Sequence, residues 1–303
     1  ESQVQPSTSS SSSPITTTSV PSPAHSATPT MTSPLRATSQ SPSPISETQL
    51  QLHLYELSIF GFTVVPKIVF PAEAAVLRDA LKSAVIKERD LYKDNPYWND
   101  SIINNLVAHG DNFYWLLDHG IMHQLFNSIL DHHCILYAYS STYLEPDLTI
   151  NAHEPHVDSP RFIKSYNTGI QMLLALSTFT SKNGAPWFLP GSHISAEQPD
   201  QQTFERYAVQ LIPNIGDALF FNPRTYHRAG INTSDEVRYG LSTYAVRSFM
   251  RQRYDYPRLI PQDDLKGLSD RAQRFLGFNV RVPVSVDEFY CPPSERLYLA
   301  DQG

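Results

Sequence analysis

Six short segments rich in β-branched and aromatic residues follow one another in the second half of the chain, with turn-forming residues between them. They cover residues 134–143, 168–179, 185–189, 207–212, 218–222 and 237–246. The breaks contain Asn183-Gly184, Pro190-Gly191, Asn214, Gly216 and Asn232. Many short strands separated by turn signals are typical of a β-sandwich or β-barrel. The pattern predicts a double-sheet β domain.

The chain before residue 134 has a different pattern. Apolar residues at helical spacing predict helices over residues 51–60, 71–89 and 115–130. The pattern of Gly61 to Val65 predicts a strand. The polar, Asn-rich residues 92–112 predict a loop that covers or borders some other part of the structure. The predicted fold class is therefore mainly β with flanking helices.

Residues 1–48 consist largely of Ser, Thr and Pro, with few large apolar side chains. Such a segment cannot bury enough apolar surface to offset its ordering entropy. We expect a disordered tail over residues 1–48, one domain over residues 49–290 and a short C-terminal tail over residues 291–303.

Composition also limits the partners. The net charge is −7, no polybasic run occurs, and no apolar stretch of about 20 residues is present. We therefore expect no nucleic-acid and no membrane partner.

The two cysteines, Cys134 and Cys291, do not form a disulfide framework, although the sequence leaves one disulfide between them possible. The expected location is cytoplasmic. The acid-poor, Ser-rich residues 1–48 leave organellar targeting as an alternative.

Three residues form a candidate metal site. His156-Val157-Asp158 is a His-x-Asp motif, and His227 ends a later segment that begins at Phe220. Two neutral imidazoles and one carboxylate are the facial triad of non-haem Fe(II) oxygenases, which leaves positions open for a 2-oxo acid and O2. His-x-Asp alone is weak support, because two residues at a fixed spacing often occur by chance.

Arg238 strengthens this interpretation. It lies eleven residues after His227, beyond a turn. In a strand over residues 237–246, alternation places four residues on one face: Arg238, Gly240, Ser242 and Tyr244. A guanidinium on that face can form a bidentate pair with a carboxylate beyond the metal.

Five motifs then occur in a fixed order between residues 50 and 255. They are Gly61-Phe62-Thr63-Val64-Val65 before a helix, His156-Val157-Asp158, Asn183-Gly184 leading to Leu189-Pro190-Gly191-Ser192-His193, Gly216-Asp217-Ala218-Leu219-Phe220-Phe221, and His227-Arg228-Ala229-Gly230-Ile231-Asn232-Thr233-Ser234 ending at Arg238. This ordered set resembles the phytanoyl-CoA dioxygenase-like branch of 2-oxoglutarate oxygenases, although no single motif is specific.

The resemblance implies a double-stranded β-helix, which is a jelly-roll, cupin-like barrel flanked by helices. It implies Fe(II) held by His156, Asp158 and His227, and 2-oxoglutarate held by Arg238, with O2 as the second cosubstrate. The implied reaction oxidises a small organic substrate, by default through hydroxylation, and releases succinate and CO2. Desaturation, epimerisation and ring formation are variants of the same chemistry. We expect a specialised metabolite as substrate, because no basic cluster suited to CoA occurs.

The chain departs from the family pattern at two positions. Val157 stands between the two ligands, where the family often has Gln or another polar residue. Leu173 stands near the position where the family often has an aromatic residue beside the cosubstrate. Gln171 shares the predicted strand face with Leu173 and is a candidate polar contact for 2-oxoglutarate.

Two other classes of protein stay open. A jelly-roll binding protein or metal-dependent isomerase would need no clamp for a 2-oxo acid, so Arg238 argues against both. A zinc hydrolase would need a general base near the metal, and Glu154 is the only nearby candidate.

Other conspicuous residues have structural interpretations. His153 lacks a carboxylate two residues later, and His193 ends a Pro-Gly-Ser-His turn. His132 and His133 follow a predicted helix, whose C-terminus favours histidine. The Tyr- and Arg-rich residues 247–256 are interpreted either as a substrate surface or as a packed, solvated strand end.

Overall fold

Two antiparallel sheets form the centre of the structure. The computed structural model describes Leu35 and residues 43–99 and 101–296. The strands are β1 (Phe62–Val65), β2 (Ile135–Ser141), β3 (Gly169–Ala175), β4 (Trp187–Phe188), β5 (Val209–Gln210), β6 (Ala218–Phe221), β7 (His227–Arg228) and β8 (Gly240–Val246). The larger sheet has the order β1-β6-β3-β8-β2, and the smaller sheet has the order β5-β4-β7.

Helices precede and follow these strands. They are α1 (Glu47–Phe60), α2 (Pro71–Tyr92), α3 (Asp111–Leu117), α4 (Gly120–Leu130), α5 (Gln201–Tyr207), α6 (Tyr256–Leu259), α7 (Gln262–Leu265), α8 (Asp270–Phe275) and α9 (Val286–Phe289). None of the helices in the described part of the chain has the length and apolar character that crossing a bilayer requires.

The single helix expected over residues 115–130 is wrong, because α3 ends at Leu117 and α4 begins at Gly120. Side chains distant in sequence stabilise the interruption between α3 and α4. Asp118 accepts hydrogen bonds from Arg271 Nε at 2.9 Å and from Ser269 Oγ at 2.6 Å. Apolar spacing could not reveal this contact with the C-terminal part of the chain.

Side chains alternate between two apolar cores along β3. One set packs toward the helices: Ile170, Met172 and Leu174. The other set faces the smaller sheet or the cavity beside it: Gln171, Leu173 and Ala175. The strand is buried throughout because both of its faces are covered.

Aromatic rings connect these layers. On the helix side, Phe126 of α4 lies 5.7 Å from Phe220 of β6 between ring centroids. Between the sheets, Phe188 of β4 lies 5.5 Å from Phe62 and 5.0 Å from Phe221 of the larger sheet. The predicted class, antiparallel sheets with flanking helices, is confirmed, although strand pairing does not close the two sheets into a continuous barrel.

The N-terminal end of the fold begins at a capped helix. Ser46 caps α1 through a capping box with Gln49. Ile45 and Gln124 exchange two hydrogen bonds, at 3.1 and 2.9 Å. Most of the predicted tail, residues 1–48, lies outside the described residues, but Leu35 is described and is buried. Residues 297–303 of the predicted C-terminal tail also lie outside.

The two cysteines are free thiols, so the bridge left open by the sequence is not formed. Cys134 is buried and Cys291 is half-buried. Burial raises the pKa of the Cys134 thiol to about 12, which makes it an inert core residue.

Candidate metal centre and its cavity

Backbone pairing brings the three predicted ligands together. His156 and His227 form an isolated antiparallel bridge, with N–H···O distances of 2.9 and 3.0 Å in the two directions. On its other side, His227 pairs with Phe188 of β4. The amide of Asp158 donates to the Pro223 carbonyl at 2.9 Å. The His-x-Asp segment is thus anchored along the strand that carries the second histidine.

The two histidine rings are oriented by backbone carbonyls. His156 Nδ1 lies 2.8 Å from the Glu154 oxygen, and His227 Nδ1 lies 2.9 Å from the Thr225 oxygen. A carbonyl only accepts, so each Nδ1 carries the proton and each Nε2 keeps a free lone pair. These Nε2 atoms lie 3.7 and 3.4 Å from the two carboxylate oxygens of Asp158. The three ligand atoms lie within 4.8 Å of one another.

The surroundings keep His227 neutral. Its ring stacks on Phe188 with 5.1 Å between centroids and lies 5.1 Å from the Phe221 ring. Burial lowers the pKa of His227, and the attraction of Asp158 offsets part of this effect. A neutral imidazole is the form that binds a metal ion.

Gln171 contacts the carboxylate of this group. Its Nε2 donates a hydrogen bond to Asp158 Oδ2, and its Oε1 accepts one from Ser242 Oγ at 3.2 Å. Gln171 and Leu173 both line the same cavity, as strand parity predicted. The contact with Asp158 is one that the sequence did not indicate. The predicted contact of Gln171 with 2-oxoglutarate stays a prediction.

Arg238 is a buried cation that has no acidic partner within the described part of the chain. It is 4 % exposed and lies over the Phe179 ring, 4.7 Å from its centroid. Its guanidinium donates to the carbonyls of Gly184 and Thr142. Among the described residues, no carboxylate oxygen lies within 4 Å of it, and its Nε has no partner. Burial lowers the pKa of Arg238 to about 10, so it stays charged at neutral pH.

One cavity of about 650 Å³ contains these groups. The predicted ligands, Arg238 and Gln171 all line it, together with Ser242 and Tyr244 of the face predicted for β8. The loop expected over residues 92–112 contributes to its border with Asn99, Ser101 and Ile102. Sequence reasoning missed Tyr137 and Thr142, which also line the cavity. Arg253 lines it too and belongs to residues 247–256, for which a substrate surface was one of the two interpretations.

The residues with structural interpretations lie apart from the metal centre. In the described part of the chain, the one group of acids, histidines and cysteines that could hold a metal consists of His156, Asp158 and His227. His153 Nδ1 instead accepts from the Ile150 amide at 3.5 Å. The Glu154 side chain is exposed and does not line the cavity.

With this geometry in place, comparison with known proteins identifies the family. The model of the phytanoyl-CoA dioxygenase family (PhyH) matches residues 59–240, well over half of the chain. The chain belongs to the phytanoyl-CoA dioxygenase family. The resemblance predicted from the ordered motifs is confirmed, and so is the prediction of an enzyme of the dioxygenase class.

Curated relatives have low sequence identity to this chain, but the matches extend over more than half of its length. An uncharacterized protein of Mycobacterium tuberculosis, Rv1501, is 28% identical over 257 residues, which cover 82% of this chain and 93% of that protein. The dioxygenase FrzG of Cladobotryum sp is 28% identical over 193 residues, which cover 58% of this chain and 63% of FrzG.

Solved structures share the fold. The 2-oxoglutarate-dependent epimerase SnoN from nogalamycin biosynthesis superposes with a TM-score of 0.52 at 19% identity, covering 66% of this chain and 84% of SnoN. AviO1 from Streptomyces viridochromogenes gives a TM-score of 0.53 at 17% identity, covering 67% of this chain and 96% of AviO1. At these identities the likeness is one of fold, and it agrees with the jelly-roll prediction.

Proposed function

We propose that this chain is an Fe(II)- and 2-oxoglutarate-dependent dioxygenase that hydroxylates a small organic molecule and releases succinate and CO2. One observation carries the proposal: the buried, acid-free Arg238 lines the same cavity as a two-histidine, one-carboxylate group. A buried charge without an opposite charge beside it is costly in a protein interior. An anionic ligand in the cavity would offset that cost.

The residues present fit the proposed metal ion. Both free Nε2 lone pairs and the carboxylate of Asp158 converge, and this donor set suits Fe(II) with open coordination positions. We assign His156, Asp158 and His227 as the residues that would hold it. When bound, Fe(II) supplies the activation of O2, coupled to the oxidative decarboxylation of 2-oxoglutarate.

The other residues would bind, orient and exclude water. Arg238 would pair with the far carboxylate of 2-oxoglutarate through charge-assisted hydrogen bonds. Phe188 and Phe221 pack against the His227 ring and exclude water from it. Gln171 holds the Asp158 carboxylate in one orientation.

The alternative classes account for fewer of these features. A binding protein or an isomerase without oxygen chemistry gives no role to Arg238. A zinc hydrolase would need a general base near the metal, and the candidate for that role, Glu154, does not line the cavity. Asp158 also argues against halogenation, since its carboxylate would fill the position that chloride needs. Related structures include an epimerase and a carbocyclase, so the product of this chain needs its own measurement.

The test is succinate release in a screen of small organic substrates with Fe(II), 2-oxoglutarate and O2. We expect a substrate that stimulates release in the native protein, and no stimulation in Asp158→Gly. Glu154→Gln serves as the matched control and should retain turnover. Near-normal turnover in Asp158→Gly would show that another residue is the third ligand. A native protein that releases no succinate with any substrate of the screen would contradict the proposal.

A further inference from the structure

The cavity has a second end, distant from Arg238, that the proposed cosubstrate does not explain. The amide of Arg238 pairs with Leu144, whereas the amide of Arg253 donates to the Tyr137 carbonyl at 3.0 Å. Tyr137 and Leu144 lie seven residues apart on an extended segment, or roughly 20 Å. The two arginines therefore line opposite ends of the same cavity.

We propose that the substrate is an aromatic carboxylic acid, whose ring lies against Tyr137 and Tyr244 and whose carboxylate pairs with Arg253. This inference rests on the proposed function, because it assigns the Arg238 end of the cavity to 2-oxoglutarate. It adds the chemical class of the substrate.

A β-bulge builds the aromatic side of this site. The register of β2 on β8 shifts between Leu136 and Ala138. Leu136 and Tyr139 consequently both face the core, while Tyr137 and Ala138 both line the cavity. Regular alternation cannot place two successive residues on one face, so the bulge is what lets Tyr137 and Ala138 both face the cavity.

Tyr137 and Tyr244 then form an edge-to-face pair with 4.9 Å between ring centroids and an interplanar angle of 63°. Gly169 makes the room for it, because a Cβ at that position would lie 2.5 Å from the Tyr244 ring. Such a surface suits a flat ring, which can stack on one tyrosine and meet the edge of the other.

The charges of the groups that line the cavity favour an acidic substrate. In the proposed complex, the charges of Fe(II) and Arg238 offset those of Asp158 and of dianionic 2-oxoglutarate. Arg253 is exposed to solvent and lines the cavity, and its charge is not offset by these groups. Among the described residues, Asp158 is the only acid that lines the cavity, and no carboxylate oxygen lies within 4 Å of Arg253. One anionic group on the substrate would complete the site.

The neighbouring basic residues do not share this position. Arg247 pairs with Asp131 at 2.7 Å and lies over the Tyr166 ring, 4.4 Å from its centroid. Arg251 is exposed and does not line the cavity. Of these three arginines, Arg247 packs against its neighbours, Arg251 is solvent-facing, and Arg253, although exposed, also lines the cavity.

The test uses the full chain loaded with Zn(II), which is redox-inactive, and saturating 2-oxoglutarate. Calorimetry measures the binding of a panel of aromatic acids, their primary amides and the corresponding saturated-ring acids. We expect the aromatic acids to bind about tenfold more tightly than their amides, since one charge-assisted pair is lost in the amide. The acid preference should disappear in Arg253→Gln and persist in the matched control Arg251→Gln. Tyr137→Leu should keep the acid preference and lose the preference for aromatic over saturated rings.

Equal binding of acids and amides, an acid preference that survives in Arg253→Gln, or no acid binding at millimolar concentration would overturn the inference. Equal binding of saturated-ring acids in the native protein would overturn its aromatic part. Each sample is also titrated with 2-oxoglutarate alone. Failure of that titration in the native protein counts against the proposed function, whereas normal 2-oxoglutarate binding without acid preference counts against this inference only.

Discussion

His156 and His227 exchange both backbone hydrogen bonds, with N–H···O distances of 2.9 and 3.0 Å, although they lie far apart in sequence. The bridge holds their rings 4.5 Å apart between centroids. Because backbone atoms form it, the arrangement of the two histidines does not depend on the metal ion. The centre is therefore pre-organised for binding.

His156→Ala and His227→Ala should each abolish stoichiometric Fe(II) binding and leave the fold intact, because the backbone bridge needs neither ring. Metal analysis after anaerobic loading measures the stoichiometry, and circular dichroism checks the fold. His153→Ala is the matched control and should still bind one Fe(II) per chain. Full iron occupancy in both ligand variants would disprove the assignment.

Gln171→Leu should weaken Fe(II) affinity by about tenfold, because Asp158 loses the hydrogen bond that orients its carboxylate. Gln171→Asn should weaken it as well, since the shorter side chain cannot make the same hydrogen bond to Asp158. Competition with a chelator measures both affinities. Gln210→Leu is the control, because Gln210 donates to the Ala185 carbonyl and does not line the cavity. An unchanged affinity in both Gln171 variants would contradict a positioning role.

Acid should destabilise the fold through His119. Burial lowers the pKa of His119 to about 4, whereas the unfolded chain has a pKa of about 6.5. The unfolded state therefore takes up the proton first. The stability present above pH 6.5 is lost as the pH falls toward 4, by up to about 1.4 kcal/mol per pH unit for one histidine.

His119→Leu should reduce this dependence by the share of one histidine and keep the stability at pH 7, while His123, whose pKa burial also lowers to about 4, accounts for part of the remaining slope. Neither ring nitrogen of His119 has a hydrogen-bond partner in the described part of the chain, so none is lost. Denaturant unfolding between pH 7 and pH 4 measures both quantities. An identical slope in the native protein and the variant would show that other groups govern the acid sensitivity.

The sequence predicted which three residues form the candidate metal centre, because all three lie within an ordered set of motifs. Strand parity also placed Arg238, Ser242 and Tyr244 on the face that lines the cavity. Tyr137 was missed because a β-bulge leaves no trace in residue alternation. The Gln171–Asp158 contact was missed because it joins a strand to a loop. At these positions, contacts between residues distant in sequence determine the structure, and the local sequence pattern does not contain them.

The contribution of Ile45 and Ser46 to stability can be tested by truncation. A chain that begins at Glu47 lacks the Ser46 cap and the Ile45–Gln124 pair, whereas a chain that begins at Ser43 keeps both. We expect the shorter chain to be less stable by about 1 kcal/mol, with little change in activity. Thermal unfolding of the two chains gives the difference. Equal melting temperatures would show that these contacts add nothing to stability.

Arg238 should act in 2-oxoglutarate binding and not in iron binding. The direct measurement is an anaerobic 2-oxoglutarate titration of the metal-to-ligand absorption band in the Fe(II) protein. Two charge-assisted hydrogen bonds are lost in Arg238→Ala, so its affinity for 2-oxoglutarate should fall by about 100-fold or more. Arg238→Lys should recover only part of it, because an ammonium cannot form the bidentate pair. Fe(II) content should stay near one per chain in both variants. An Arg238→Ala protein that titrates like the native one would contradict the account.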